Sequence, residues 1–310
     1  MKQIVVTTEN AGKRADKFLS EEFFSMSRGE IIRQIKKGTI LINGKVIKPS
    51  YILVEGDNVE INFVFDEKKL IANPNIKIKI VFEDENILVL DKPFGTQMHP
   101  SAVEKENTVA NWLVAKYPEI ADVYDESVDG YLRPGIVHRL DKDTSGLVVV
   151  AKNKKSFDEL KNIFAERQIE KKYVALVFGN LQNKEGIIDK PLTRATNFKK
   201  QKIATGKSRG KIRNAVTTYQ VLKSYVEYDL IEAIPKTGRM HQIRAHFSSI
   251  GHPIVGDEKY FLKKYADVKI ACVKRQLLHA KELKMELLGK KYHFFSEIPQ
   301  DFSEALAKVD

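Results

Sequence analysis

From Gly146 to Ala151 the chain reads Gly-Leu-Val-Val-Val-Ala, a run with no polar side chain to offer to water. Such a run, bounded by turn signals, reads as a buried strand, and a buried strand needs further layers of chain to cover it. A shorter apolar stretch, Gly135 to Val137, lies ahead of it, and His138-Arg139-Leu140-Asp141-Lys142-Asp143-Thr144-Ser145 fills the gap. An extended segment therefore enters a polar loop carrying His138, Arg139 and Asp141 and leaves as a buried strand. Loops braced by strands commonly present reactive side chains.

The surrounding pattern predicts more strands, over 76–82, 86–90, 172–178, 216–223 and 228–234. Helices are predicted over 108–117, stopped by Pro118, and over 240–250, with Gly251 past its end. Ser156-Phe157-Asp158-Glu159 reads as a capping box opening a third helix that runs to about Gln168. Strands outnumber helices without regular alternation. That predicts an α+β fold with a mixed, largely antiparallel central sheet flanked by helices, rather than a doubly wound one.

Residues 1–65 read as a separate small α/β domain, 66–75 as a linker and 76–310 as the larger domain. In the first, Ala15, Phe18, Leu19 and Phe23 recur at helical spacing, and Ser27 to Glu30 reads as a capping box. The helix that follows places Ile31, Ile32 and Ile35 on one face and the cations Arg33, Lys36 and Lys37 on the other. Asn43-Gly44 between two short apolar segments is a tight-turn signal. The linker follows from Asp66-Glu67-Lys68-Lys69 leading into Asn73-Pro74-Asn75.

A net charge of +11 favours polyanionic partners, because each phosphate neutralised by Lys or Arg releases condensed counterions. From Arg194 to Arg213 there are eight Lys or Arg and no Asp or Glu, which reads as a mobile loop able to order on RNA. Cys272 is the sole cysteine, so there is no internal disulfide and no cysteine-based zinc site. No apolar run approaches the ~20 residues of a membrane-spanning helix, and the first residues lack a secretory signal. A cytoplasmic protein with no membrane partner is expected. Nothing points to oligomerisation, so a monomer is expected too.

His138-Arg139-Leu140-Asp141 followed by Thr144-Ser145-Gly146 resembles the signature of the RluA-type RNA pseudouridine synthases. Further motifs fall in the family's order: Lys92-Pro93-Phe94-Gly95 with His99-Pro100, then Lys171-Lys172-Tyr173. Thr237 to Arg244 and Gln276-Leu277-Leu278-His279-Ala280 complete the set. The similarity spans roughly 76–300, and the smaller domain resembles an S4-type RNA-binding domain. The resemblance implies the pseudouridine synthase catalytic fold, with Asp141 catalytic, Tyr173 against the target base and Arg244 paired with Asp141. It implies substrate contacts from His138, Arg139, Leu140, Arg239 and His241, and RNA contacts from Arg33, Lys36 and Lys37. The implied partner is 23S-type large-subunit ribosomal RNA or a ribosome precursor. Transfer RNA and a catalytically silent ribosome-assembly factor are the alternatives.

Elementary chemistry fits those roles. Turning uridine into pseudouridine breaks the bond from N1 to C1′, turns the base and bonds C5 to C1′, with no redox change, cofactor or metal required. A carboxylate can act at sugar or base as a nucleophile, or as a base on a ribose proton. A guanidinium beside it keeps it ionised. Bland readings exist for each residue: Asp141 as a turn aspartate, Tyr173 as core, Arg244 as a surface ion pair, His138 as a structural ring. A glycosidase would want a second carboxylate across the bond, and His241 and His246 are spaced five apart, wrongly for a helical metal pair.

Overall fold

The computed structural model describes every residue except 1, 24–25, 27, 64–69, 102, 128–129, 196–199, 207, 209, 267, 269, 271 and 310. The first unit contains β1 (Lys2–Val5), α1 (Ala15–Glu22), α2 (Arg28–Lys36), β2 (Ile40–Ile42), β3 (Lys45–Val46) and β4 (Asn58–Ile61). Its strands form an antiparallel sheet in the order β1-β4-β2-β3. Phe18, Leu19, Ile31, Ile35, Ile40 and Val59 bury a core drawn from this unit alone. Asn43 and Gly44 both have positive φ, 51° and 73°, the turn geometry their dipeptide predicts. Asp16, buried on α1, accepts hydrogen bonds from Arg14 and Arg28 and so ties α1 to α2. The capping box at Ser27 lies outside the described residues.

The larger unit begins with β5 (Lys79–Glu83), β6 (Ile87–Lys92), α3 (Val109–Lys116), β7 (Ser145–Ala151), α4 (Lys154–Glu166) and β8 (Glu170–Phe178). It continues with β9 (Glu185–Asp189), β10 (Leu192–Arg194), β11 (Gln201–Ile203), β12 (Val216–Ser224), β13 (Tyr228–Pro235) and α5 (Gln242–Ser249). It closes with β14 (Leu278–Leu287), β15 (Lys290–Phe295) and α6 (Gln300–Leu306). Among the described residues, nine strands form one mixed sheet in the order β5-β6-β7-β14-β8-β13-β12-β9, with β15 on β14. All of its pairings are antiparallel except β7 with β14. This is the predicted fold class.

Every residue of β7 is buried, as the apolar run that follows Ser145 requires. Alternation along β8 sends Ala175 and Val177 into the core beneath α5, and Val174 and Leu176 into the core beneath α6. Each large apolar side chain so buried contributes about 1.5–3 kcal/mol. Tyr173 shares the face of Ala175, and that face leads to the site.

Several expectations need correction. The third predicted helix, α4, begins at Lys154, capped by the Asn153 side chain, which accepts the Ser156 amide at 2.9 Å. Asparagine caps as well as serine does, so the earlier of two signals three residues apart prevails. Part of the basic stretch 194–213 is ordered: β10 and β11 form a hairpin, and Arg213 bridges Leu192. The second half of the expected linker is docked. The Asn111 side chain donates to Ile71 O at 2.7 Å, and Leu70 and Ile76 pack on the main core. The rest of the linker, 66–69, lies outside the described residues.

Candidate active site

The loop between Ile136, which bridges Val150, and β7 is pinned residue by residue. The Thr144 amide closes a turn on Asp141 O at 3.1 Å. Lys92, fully buried at the end of β6, donates to Pro93 O (2.7 Å), Thr96 O (2.9 Å) and Lys142 O (3.0 Å). Arg275 donates to Asp143 O at 3.2 Å while its other edge is held by Asp301 of α6 at 2.7 and 3.0 Å. Gln276 donates to Thr144 Oγ1 at 3.2 Å, and Ser145 Oγ lies 3.0 Å from His279 Nδ1. Gly146 then passes so close to β14 that a Cβ there would stand 2.3 Å from Ala280 O, at φ +113°. Only glycine fits.

Asp141 stands on this brace with its side chain 20% exposed. Its Oδ2 accepts from Arg244 Nη1 at 2.7 Å. Arg244, on α5 and 4% exposed, donates Nε and Nη2 to Asp257 at 2.6 and 2.8 Å, so two carboxylates share one guanidinium. Burial opposes its charge, but Asp257 and Asp141 outweigh burial and hold the group above the usual arginine range. Asp257 is itself fixed by the amides of Lys259 and Tyr260.

His241 approaches Asp141 Oδ1 to 3.7 Å, but not as the first turn of a helix. It is the N-cap of α5 with φ 55°, and its Nδ1 lies 3.1 Å from the Tyr260 hydroxyl. Burial pushes its imidazole down to about 4, so it faces the carboxylate as a neutral ring at pH 7. Tyr173 lines the same cavity from β8, and burial, then the charge of Asp141, raise its phenol well above the ordinary range. It stays protonated.

The other sequence-derived residues divide. Arg139 is exposed at the cavity mouth, with Nη1 3.4 Å from His99 Nε2, and Arg239 donates Nε to Asn214 O at 3.1 Å. Leu140 is buried in the core and also lines the cavity. His138 lines the cavity, yet its Nε2 already accepts the Val149 amide at 3.0 Å and its ring stacks on Phe164 at 4.5 Å. Burial pushes it down to about 3. Arg33, Lys36 and Lys37 are exposed in and just after α2 and do not line the cavity.

The cavity is about 450 Å³, within the range of ligand sites. Arg133, Arg139, Arg167, Lys171, Lys236 and Arg239 line it together with Arg244, and Asp141 is the one carboxylate among the lining residues. Cationic side chains thus far outnumber carboxylates on its wall. Asp257 and Arg275 have no sequence signal of their own, since buried charges look like solvated ones in a string of letters; Lys92 opens one of the motifs, but nothing in that motif marks it as buried.

Comparison with known proteins gives a consistent picture. A family model for RNA pseudouridylate synthase matches residues 86–249, and one for the S4 domain matches 13–59. The chain is 34% identical to an uncharacterized RNA pseudouridine synthase, YlyB, of Bacillus subtilis, across 100% of this chain and 99% of that one. It is 35% identical to ribosomal large subunit pseudouridine synthase D of Escherichia coli O6:H1, covering 97% and 92% of the two chains. The structure of human RNA pseudouridylate synthase domain containing 4 superposes with a TM-score of 0.58 at 26% identity, over 74% and 92%.

Proposed function

The chain belongs to the RNA pseudouridylate synthase family, and on that footing we propose that it converts uridine to pseudouridine in large-subunit ribosomal RNA, with Asp141 as the catalytic carboxylate. One observation carries the residue assignment. Asp141 is the single carboxylate on the wall of a cation-lined cavity, 2.7 Å from Arg244 and facing the space that Tyr173 also lines. An enzyme acting on a base must first take it out of its helix. The cationic walls receive the displaced nucleotide, and Tyr173 offers the base a flat face. Asp141 then serves the cleavage of N1 from C1′; C5 bonds to C1′, the proton on C5 leaves, and N1 gains one. Atoms balance within the nucleotide itself.

Arg244 aims Asp141, and a guanidinium suits this better than an ammonium because its fork serves two carboxylates at once. Tyr173, protonated at neutral pH, acts as a stacking platform and a donor rather than as a phenolate base. His241 adds a neutral ring beside the carboxylate. Arg139 meets the RNA at the mouth, and His138 holds the loop to β7. The exposed cations Arg33, Lys36 and Lys37 hold phosphates of the same RNA, which the match to an S4 domain supports. The names of the relatives favour ribosomal RNA as substrate, and with it work in the cytoplasm. Pseudouridine maps of ribosomal and transfer RNA, from cells with and without the protein, provide the test. Sites lost from large-subunit RNA support the reading. Losses confined to transfer RNA replace the substrate, and no loss anywhere removes the function.

A further inference from the structure

Lys171 leaves β8 two residues before Tyr173, so both side chains project from one face, about 7 Å apart along the strand. Its Nζ lies 5.3 Å from the centre of the Phe164 ring and 3.9 Å from where a Cβ on Gly238 would stand. No carboxylate and no hydrogen-bond acceptor among the described residues meets that ammonium, and it lines the cavity. Burial pushes it down to about 8, with no counter-charge to oppose the shift. Withdrawing an ammonium from water without a partner costs stability, and the cost is relieved when an anion arrives.

The neighbours are of the same kind. Gly238 is followed by Arg239, which burial, and then the like charges of Arg213 and Arg167, pull below the usual arginine range. Arg167 closes α4 and is exposed on the cavity wall. Uracil carbonyls are neutral acceptors that one ammonium would satisfy. Several like charges around a single glycine turn call for a formal negative charge with more than one oxygen to share.

We propose that Lys171, Arg239 and Arg167 form a subsite for one backbone phosphodiester of the RNA, the one adjoining the uridine that enters the cavity. The proposal rests on the RNA-modifying function above. The two-residue offset between Lys171 and Tyr173 then matches the reach from a phosphate to the base of its own nucleotide.

The test uses the full-length protein and a large-subunit ribosomal RNA fragment in which the wild type forms pseudouridine. If no such fragment is found, the functional reading fails; conversion without the effects below sinks the subsite alone. Lys171→Gln is expected to weaken RNA binding about tenfold and to reduce the slope of log affinity against log salt by about one. A single neutral methylphosphonate beside the target uridine should cost the wild type the same factor and cost Lys171→Gln nothing further. Lys171→Arg should restore binding. Unchanged affinity and slope with slower turnover would assign Lys171 to the base instead, and full additivity with every methylphosphonate position would remove the phosphate.

The pH dependence supplies a second readout. Lys171 is faced by Tyr173 on its own strand, His138 before β7, Arg167 after α4 and Arg239 after Gly238, while β14 pairs it with apolar Leu283. The Tyr173 phenol, held up by burial, and the His138 ring, held down by it, do not change charge between pH 7 and 9. RNA affinity should therefore fall as pH rises through about 8. Stability of the RNA-free protein should rise from about 8 toward the usual lysine range, because there the unfolded chain holds the proton that the folded one has lost. Lys171→Gln should flatten both trends and leave the melting temperature no lower; a large drop would mean an unseen structural partner.

Discussion

The two walls of the cavity handle charge in opposite ways. On one, Asp141, Arg244 and Asp257 satisfy one another at hydrogen-bond distance, on a loop held by Lys92, Arg275 and Gln276. On the other, among the described residues, Lys171 and Arg167 have no acidic partner, and Arg239 has only a backbone carbonyl. The paired wall is oriented before anything binds, which is what chemistry at a fixed atom demands. The unpaired wall is incomplete without an anion. On the proposed function, charge pairing distinguishes groups that react from groups that wait.

That contrast can be broken from either side. Asp141→Asn keeps the shape and removes the charge, and should lower product formation by at least about a thousandfold with RNA affinity unchanged or slightly tighter. Product near the wild-type yield would take Asp141 out of the chemistry. Asp257→Asn leaves Arg244 a single carboxylate. It should lower kcat by about 10- to 100-fold with KM nearly constant, with partial rescue by Asp257→Glu. A rise in KM at constant kcat would move Asp257 to the waiting side. Arg239→Gln should do the reverse of Asp257→Asn, weakening RNA about tenfold with kcat within about threefold. Smallest of all, Arg33, Lys36 and Lys37 changed singly to Gln should each weaken binding only a few-fold and make its salt dependence shallower, since each is exposed. Removal of residues 1–65 should combine those losses while the larger domain still melts cooperatively, because no side chain of the small core belongs to the larger one.

Much of this was legible from the letters alone. The amphipathic α2, the Asn43-Gly44 turn and the buried apolar run of β7 each follow from local pattern, and local pattern is what a sequence displays directly. Asp141, Tyr173 and Arg244 were legible because motifs carry them. Asp257 was not. It follows Val255-Gly256 and reads as a turn aspartate, and only the fold brings it to Arg244. His241 sits in a run patterned like helix, yet its φ of 55° ends the helix one residue later, which hydrophobic periodicity cannot register. The burial of Lys92 and Arg275 was invisible for a different reason. Periodicity assigns cations to solvent, whereas these two are buried because backbone carbonyls replace the water they leave.

The parallel pairing of β7 with β14 joins Ser145 to His279 and Gly146 to Ala280. Arg275, Gln276 and Asp301, which brace the loop, come from the same late part of the chain. Contacts of such long sequence separation form only after loop closure has been overcome, and during synthesis they wait for the later segment to emerge. The small domain, whose core closes within the first 63 residues, has no such delay. A growing chain therefore folds its small RNA-binding module well before the loop that carries Asp141 acquires its brace.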